Sequence, residues 1–99
     1  MHRIVWAMVV LAGCGNASSD IADLTGDAAA GAEIYAASCS GCHAEDGTGA
    51  SGPSLVEETP SKEETIEVVF SGEGDMPAFS ESLSDQDIAD VTAFVTTGL

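Results

Sequence analysis

Three segments of the chain repeat apolar residues at helical spacing. The first follows Asp27, a predicted N-cap, and runs over residues 28–38, with Gly31, Tyr35 and Cys39 recurring every four residues on one face. A glycine inside an isolated helix costs up to about 1 kcal/mol relative to alanine. The presence of Gly31 therefore indicates that this face lies in close contact with another helix.

The second and third segments begin with a serine followed three residues later by an acid, as capping boxes do. Ser61 precedes Glu64, and the segment that follows ends at Gly72. Ser84 precedes Asp87 in the same way. The apolar positions of these two predicted helices are Ile66, Val69, Phe70, Ile88, Val91, Phe94 and Val95.

The last predicted helix, which ends before Gly98, is the natural partner of the first. We expect Val91 and Phe94 to pack over Gly31 and Tyr35. No stretch of the sequence has the pattern of a clear strand. The sequence therefore predicts an all-α fold.

The N-terminal residues have the composition of a signal peptide, predicted over residues 1–13. A short positive head precedes an apolar run over 4–12, which is far below the about 20 residues that a spanning helix needs. Residues 11–14, Leu-Ala-Gly-Cys, resemble the lipobox of bacterial lipoproteins, which implies lipidation of Cys14 and an anchor at a membrane surface. Gly15 favours the outer membrane in a two-membrane bacterium. The alternative is an ordinary secretory signal with an incidental cysteine.

The rest of the chain divides into a tether and one domain. Residues 14–26 begin with the lipidated cysteine, are mostly small and polar, and are predicted to form a flexible tether. Residues 27–99 form the predicted domain. A chain this short buries too little apolar surface to be stable by core packing alone, so an additional stabilising element such as a bound cofactor is expected.

Cys39, Cys42 and His43 form the pattern C-x-x-C-H, through which haem c is attached. The two thiols form thioether bonds with the porphyrin, and the imidazole ligates the iron. Without residues 1–13, His43 is the only histidine and Met76 the only methionine, so Met76 is the predicted second ligand. A thioredoxin-like dithiol would need a βαβ pattern and a zinc site four ligands, and the remaining chain offers neither.

In combination these motifs resemble class I cytochromes c, especially the small bacterial and algal kind. The resemblance covers roughly residues 26–94 and rests on Gly31 with Tyr35, Cys39-Ser40-Gly41-Cys42-His43, Gly52-Pro53-Ser54-Leu55, Met76-Pro77-Ala78-Phe79 and Leu83-Ser84-Asp85, in that order. It implies a domain in which three to four helices wrap around one covalently bound haem.

The resemblance also implies roles for residues around the haem. The Pro53 carbonyl would accept a hydrogen bond from His43 Nδ1, which fixes the tautomer and raises the basicity of the ligand. Leu55 and Phe79 would pack against the ring and exclude water. One position departs from the family pattern, because Ala44 follows the motif where the family often has glycine or another residue.

Charge is the most unusual feature of the composition. All 17 acidic residues follow residue 13, and Lys62 is the only lysine or arginine there. Such a chain is repelled by nucleic acids and by anionic lipid surfaces. It is suited to a redox partner with a basic docking surface, and the alternative is that the acidity serves solubility or adaptation to salt.

The sequence thus predicts an exported, monomeric carrier of single electrons between periplasmic or membrane redox proteins, without enzymatic activity. One alternative is a haem subunit of a larger oxidoreductase. Another is a peroxidase or gas sensor, which the sequence disfavours because no second histidine and no arginine follow residue 13.

Overall fold

The computed structural model describes residues 20–99, which contain four helices and a short helical segment at residues 20–22. The helices are α1 (Ala28–Ser38), α2 (Ser40–His43), α3 (Lys62–Ser71) and α4 (Asp85–Thr97). Within residues 20–99 no strand forms, and an isolated bridge joins Glu73 and Met76. None of these helices is long and apolar enough to cross a bilayer. The all-α prediction is confirmed, while the predicted signal peptide and Cys14 lie outside the described residues.

Side-chain caps define where the helices begin. The carboxylate of Asp27 accepts hydrogen bonds from two backbone N–H groups in the first turn of α1. At α4 the capping box is complete, because Ser84 Oγ accepts from Asp87 N at 3.0 Å and Asp87 Oδ2 accepts from Ser84 N at 3.1 Å. At α3, Ser61 Oγ accepts from Glu64 N at 3.1 Å, so this predicted box is present in its first half.

The contact predicted at Gly31 is the crossing point of α1 and α4. A Cβ atom at Gly31 would lie 2.0 Å from the carbonyl oxygen of Asp90 and 2.9 Å from Val91 Cα. Any side chain larger than hydrogen would therefore push the helices apart. One turn later the rings of Tyr35 and Phe94 pack with their centroids 5.3 Å apart, in a tilted arrangement.

The core lies between α1, α3 and α4. Its buried apolar residues are Ile21, Tyr35, Ile66, Val69, Ile88, Ala89, Val91 and Val95. All three helices bury positions that the periodicity identified, namely Gly31 and Tyr35 of α1, Ile66 and Val69 of α3, and Ile88, Val91 and Val95 of α4.

The packed domain begins earlier than the predicted boundary at residue 27. Ile21 is fully buried and Leu24 packs against the same core. Residues 20–26 are therefore part of the domain, which corrects the flexible tether predicted for them. The prediction failed because two apolar residues among many polar ones form no periodic stripe, and their burial depends on the core that they meet. Residues 14–19 lie outside the described residues.

Polar side chains from α3 and α4 hold this N-terminal segment in place. Lys62 Nζ donates to the carbonyl oxygen of Ala22 at 2.8 Å, and Gln86 Nε2 donates to that of Thr25 at 3.0 Å. The buried carboxylate of Asp90 accepts hydrogen bonds from the Asp27 backbone N–H at 2.8 Å and from Gln86 Nε2 at 2.8 Å. These hydrogen bonds join residues 22–27 to the first residues of α3 and to α4.

The helix crossing leads to a matched pair of glycine substitutions. We expect Gly31→Ala to lower the free energy of unfolding by about 1–3 kcal/mol or more, because overpacking forces backbone movement. Gly41→Ala is the control, since a Cβ there meets nothing within 4 Å. It should be neutral or slightly stabilising by urea denaturation. Equal loss of stability in both variants would contradict the close contact.

Candidate functional site

The C-x-x-C-H motif lies at the end of α1 and forms the single turn of α2. Cys39 lies between the two helices, and its carbonyl oxygen accepts hydrogen bonds from Cys42 N at 3.2 Å and His43 N at 3.0 Å. This compact turn holds two free thiols and an imidazole on one short segment. Cys39 is half-buried against the core, whereas Cys42 is exposed.

The environment of Cys39 helps to distinguish haem attachment from a redox-active dithiol or a zinc site. Burial raises the pKa of the Cys39 thiol to about 11, and the neighbouring Cys42 adds to the increase. A redox-active dithiol or a zinc ligand requires a readily formed thiolate, for which the pKa is usually lowered. No group of three or more His, Cys, Asp or Glu side chains within residues 20–99 is arranged to hold a metal ion. The site is thus unlike a dithiol centre.

The imidazole of His43 is held in one orientation by the loop that follows it. His43 is 9 % exposed, and its Nδ1 lies 2.9 Å from the carbonyl oxygen of Pro53. A carbonyl oxygen can only accept, so Nδ1 carries the proton and Nε2 keeps its lone pair for a metal. A Cβ atom at Gly52 would lie 3.0 Å from His43 Cε1, so glycine allows the backbone this close approach.

Backbone hydrogen bonds fold this loop onto the motif itself. Gly49 N donates to the carbonyl oxygen of His43 at 2.9 Å, and Gly52 N donates to that of Cys42 at 2.7 Å. Gly47 N reaches the carbonyl oxygen of Ala44 at 3.1 Å. The carbonyl groups of three successive residues thus shape the loop that carries Pro53 back to the imidazole.

Ala44 occupies a backbone conformation that is unusual for a residue with a side chain. Its φ is 70° and its ψ is 158°, a region populated almost exclusively by glycine, where a non-glycine residue costs about 1–3 kcal/mol. The departure from the family pattern seen in the sequence therefore falls at a strained position. Sequence reasoning did not reveal the strain, although the absent glycine was its signal.

Tyr35 supplies a polar contact to the same residue, which sequence reasoning also missed. Its hydroxyl donates to the carbonyl oxygen of Ala44 at 2.7 Å, although the side chain is only 2 % exposed. Burial raises the pKa of Tyr35, and charges at Cys39 and Asp46 add to the increase. The hydroxyl therefore remains protonated and able to donate throughout the neutral range. The sequence pattern identified Tyr35 only as a packing residue.

Met76 lies on a separate turn, after α3. Glu73 and Met76 exchange backbone hydrogen bonds of 3.1 and 2.9 Å, which closes a tight turn. The segment that follows is attached to α3, because Phe79 N donates to the carbonyl oxygen of Val69 at 2.8 Å. The Met76 side chain is half-buried and packs against the core.

The predicted site residues differ in burial, since His43 is buried, Cys42 and Pro53 are exposed, and the others are half-buried. His43 and Pro53 are in direct contact, whereas Met76 belongs to a different turn and is connected to them through the core that it shares with Cys39. The half-buried apolar members of this set are Cys39, Leu55, Phe70, Met76 and Phe79. An imidazole with a free Nε2, a thioether, two thiols and half-buried apolar side chains suit a flat, apolar, iron-containing cofactor.

Comparison with known proteins agrees with this donor set. Residues 26–95 match a family model described as cytochrome c oxidase, cbb3-type, subunit III. Cytochrome c6 of Picosynechococcus sp. is 39 % identical over 84 residues, which cover 70 % of this chain and 71 % of that protein. The crystal structure of cytochrome c6 from the diatom Phaeodactylum tricornutum superposes with a TM-score of 0.63 at 33 % identity, covering 72 % of this chain and 92 % of that chain.

A third similarity is to a protein of a different kind. The cytochrome c subunit of a quinone-dependent alcohol dehydrogenase from Gluconobacter oxydans is 34 % identical over 91 residues. The match covers 74 % of this chain and 19 % of that subunit.

Proposed function

The chain belongs to the family of c-type cytochromes that residues 26–95 match, and we propose that its iron is ligated by His43 and Met76. It has the class I all-α fold, carries covalently attached haem c and is a small monohaem electron carrier, like its cytochrome c6 relatives. When bound, the haem iron supplies one-electron exchange between its ferric and ferrous states. The observation that carries the proposed ligation is the contact of His43 Nδ1 with the Pro53 carbonyl oxygen at 2.9 Å.

Each proposed site residue has a separate role. Cys39 and Cys42 anchor the porphyrin through thioether bonds, and His43 presents Nε2 to the iron. The hydrogen bond to Pro53 fixes the imidazole and raises its basicity. Met76 adds a neutral, soft sulfur ligand, which favours the ferrous state and raises the reduction potential.

Apolar side chains around these ligands limit the access of water. Leu55 and Phe79 are half-buried and pack against the same core as Met76. A shell of low polarity disfavours the additional charge of the ferric state, so these residues help to keep the reduction potential high.

A second candidate function is that of a haem subunit in a larger oxidoreductase. It is favoured by the similarity to the cytochrome c subunit of alcohol dehydrogenase, although the chain spans only 19 % of that protein. Extraction with a mild detergent separates the two functions. A free carrier purifies alone, whereas a subunit purifies in a fixed ratio with a second protein.

The ligation of iron by Met76 is tested by visible spectroscopy. We expect the oxidised protein to show the weak red-region charge-transfer band of a thioether bound to ferric haem, and Met76→Ala to abolish it. Leu83→Ala is the control, because it truncates another half-buried side chain that packs on the core, and it should retain the band. If the unmodified protein lacks the band and its reduced form binds carbon monoxide rapidly, a sensor or catalytic role replaces the proposal.

We further propose that the protein is exported and held at a membrane by lipid on Cys14, with the outer membrane favoured. The support is the sequence at residues 11–14 and the glycine that follows it. Cys14→Ser should release the protein into the soluble periplasmic fraction, because no acyl chain would then bind the bilayer. Gly15→Asp should instead leave it bound, but to the cytoplasmic membrane. Membrane attachment of Cys14→Ser would contradict the lipid anchor.

The acidity of the domain supports a redox partner with a basic docking surface. All 17 acidic residues lie within residues 20–99, where Lys62 is the only lysine or arginine. The Lys62 ammonium group donates to the carbonyl oxygen of Ala22 at 2.8 Å, on the N-terminal segment. The field of the domain is therefore negative and attracts a cationic partner.

Salt dependence tests this proposal. We expect the rate constant for electron transfer to a basic redox protein to fall by about tenfold or more as ionic strength rises, because screening removes the steering. The rate with an uncharged quinone is the control and should hardly change. A protein–protein rate that is equally insensitive to salt would assign the acidity to solubility or to adaptation to salt.

A further inference from the structure

We propose that Tyr35 is a positioning residue for His43, acting through the strained peptide at Ala44. The inference rests on the proposed ligation of iron by His43. It adds that a residue of the packed helix α1 helps to orient the His43 imidazole. The Tyr35 hydroxyl donates its hydrogen bond to the backbone of Ala44, so its influence on the imidazole passes through the backbone.

The backbone of Ala44 needs an external restraint. With φ at 70° and ψ at 158°, the residue would gain by returning to the ordinary conformations of alanine. Its N–H is fixed by the carbonyl oxygen of Ser40 at 2.9 Å. Its own carbonyl oxygen accepts hydrogen bonds from the Tyr35 hydroxyl at 2.7 Å and from Gly47 N at 3.1 Å. The shorter of these two bonds comes from outside the loop.

The Tyr35 hydroxyl is a rigid donor. The side chain is 2 % exposed and packs against Phe94 with a centroid separation of 5.3 Å. It lies on α1 one turn after Gly31, where α1 and α4 approach so closely that a Cβ atom would lie 2.0 Å from the carbonyl oxygen of Asp90. The hydrogen bond to Ala44 therefore ties the loop to a residue buried beside the helix crossing.

The restraint reaches His43 through the loop that Ala44 begins. This loop returns Pro53 to the imidazole, and its N–H groups bond to the carbonyl oxygens of Cys42, His43 and Ala44. If the Ala44 carbonyl is released, the peptide can rotate to relieve its strain, and the loop moves with it. The bond between Nδ1 and Pro53 then weakens, the imidazole becomes less basic, and the ferric state loses stabilisation.

The test is the midpoint potential of Tyr35→Phe, which removes the hydroxyl and keeps the ring. We expect the potential to shift in the positive direction, by the equivalent of a roughly threefold change in the reduction equilibrium constant. Removing a direct partner of a ligating histidine changes metal affinity or activity by about 10–100-fold, and Tyr35 acts less directly than such a partner. The red-region band should remain, because Met76 is untouched. In proton NMR, the His43 Nδ1–H resonance should move towards the position of a weaker hydrogen bond.

Two further variants separate positioning from simple packing. Phe94→Leu removes the ring that supports Tyr35 but leaves the hydroxyl, so it should lower the unfolding midpoint without shifting the potential. Ala44→Gly removes the strain, so it should raise the unfolding midpoint, and adding Tyr35→Phe to it should shift the potential less than Tyr35→Phe alone.

These measurements test the positioning role of Tyr35 separately from the ligation of iron by His43 and Met76. An unchanged potential and an unchanged Nδ1–H resonance in Tyr35→Phe, with the band present, would overturn the positioning role and leave the ligation by His43 and Met76 intact. Equal shifts in Tyr35→Phe and Phe94→Leu would also overturn it, because loss of packing would then explain both. Absence of the band from the unmodified protein would contradict the ligation itself.

Discussion

The backbone contact between α1 and α4 at Gly31 is the constraint on which the rest of the structure depends. It brings the two helices so close that a Cβ atom would overlap the carbonyl oxygen of Asp90. The next turn of α1 places Tyr35 against Phe94, and the end of α1 places Cys39 beside the core. The position of the attachment motif, and of the loop that returns to His43, is therefore set by a helix crossing and not by the motif itself.

The domain around this crossing is small, so its apolar core provides limited stability. Within residues 20–99, eight buried apolar residues form a small core, and a short chain of this kind gains little from burial alone. Mutual repulsion among 17 acids with one lysine further opposes compaction. In the proposed site, covalently attached haem c would cover half-buried apolar side chains such as Leu55, Phe79 and Met76, so the cofactor would contribute to folding as well as to electron transfer.

Local signals predicted the helices well because caps and apolar periodicity act over a few residues. Asp27 and Ser84 begin helices as expected, Gly31 lies against Val91, and Tyr35 packs against Phe94, as the periodicity indicated. The hydrogen bond between His43 and Pro53 was expected from the family resemblance and is present. The burial of Ile21 and Leu24 was missed, because two apolar residues in a polar segment form no periodic stripe, and their burial depends on the core that they meet.

Residue types and their spacing along the chain are enough to predict the chemistry of this protein. The C-x-x-C-H pattern, the few possible iron ligands and the excess of acids depend only on residue type and spacing along the chain. The tertiary structure was needed to show that Ile21 is buried in the domain, that Ala44 is strained and that the Tyr35 hydroxyl bonds to the Ala44 carbonyl oxygen. These features arise where distant segments pack against each other. Backbone angles and buried hydrogen bonds are set there by neighbours that no local pattern specifies.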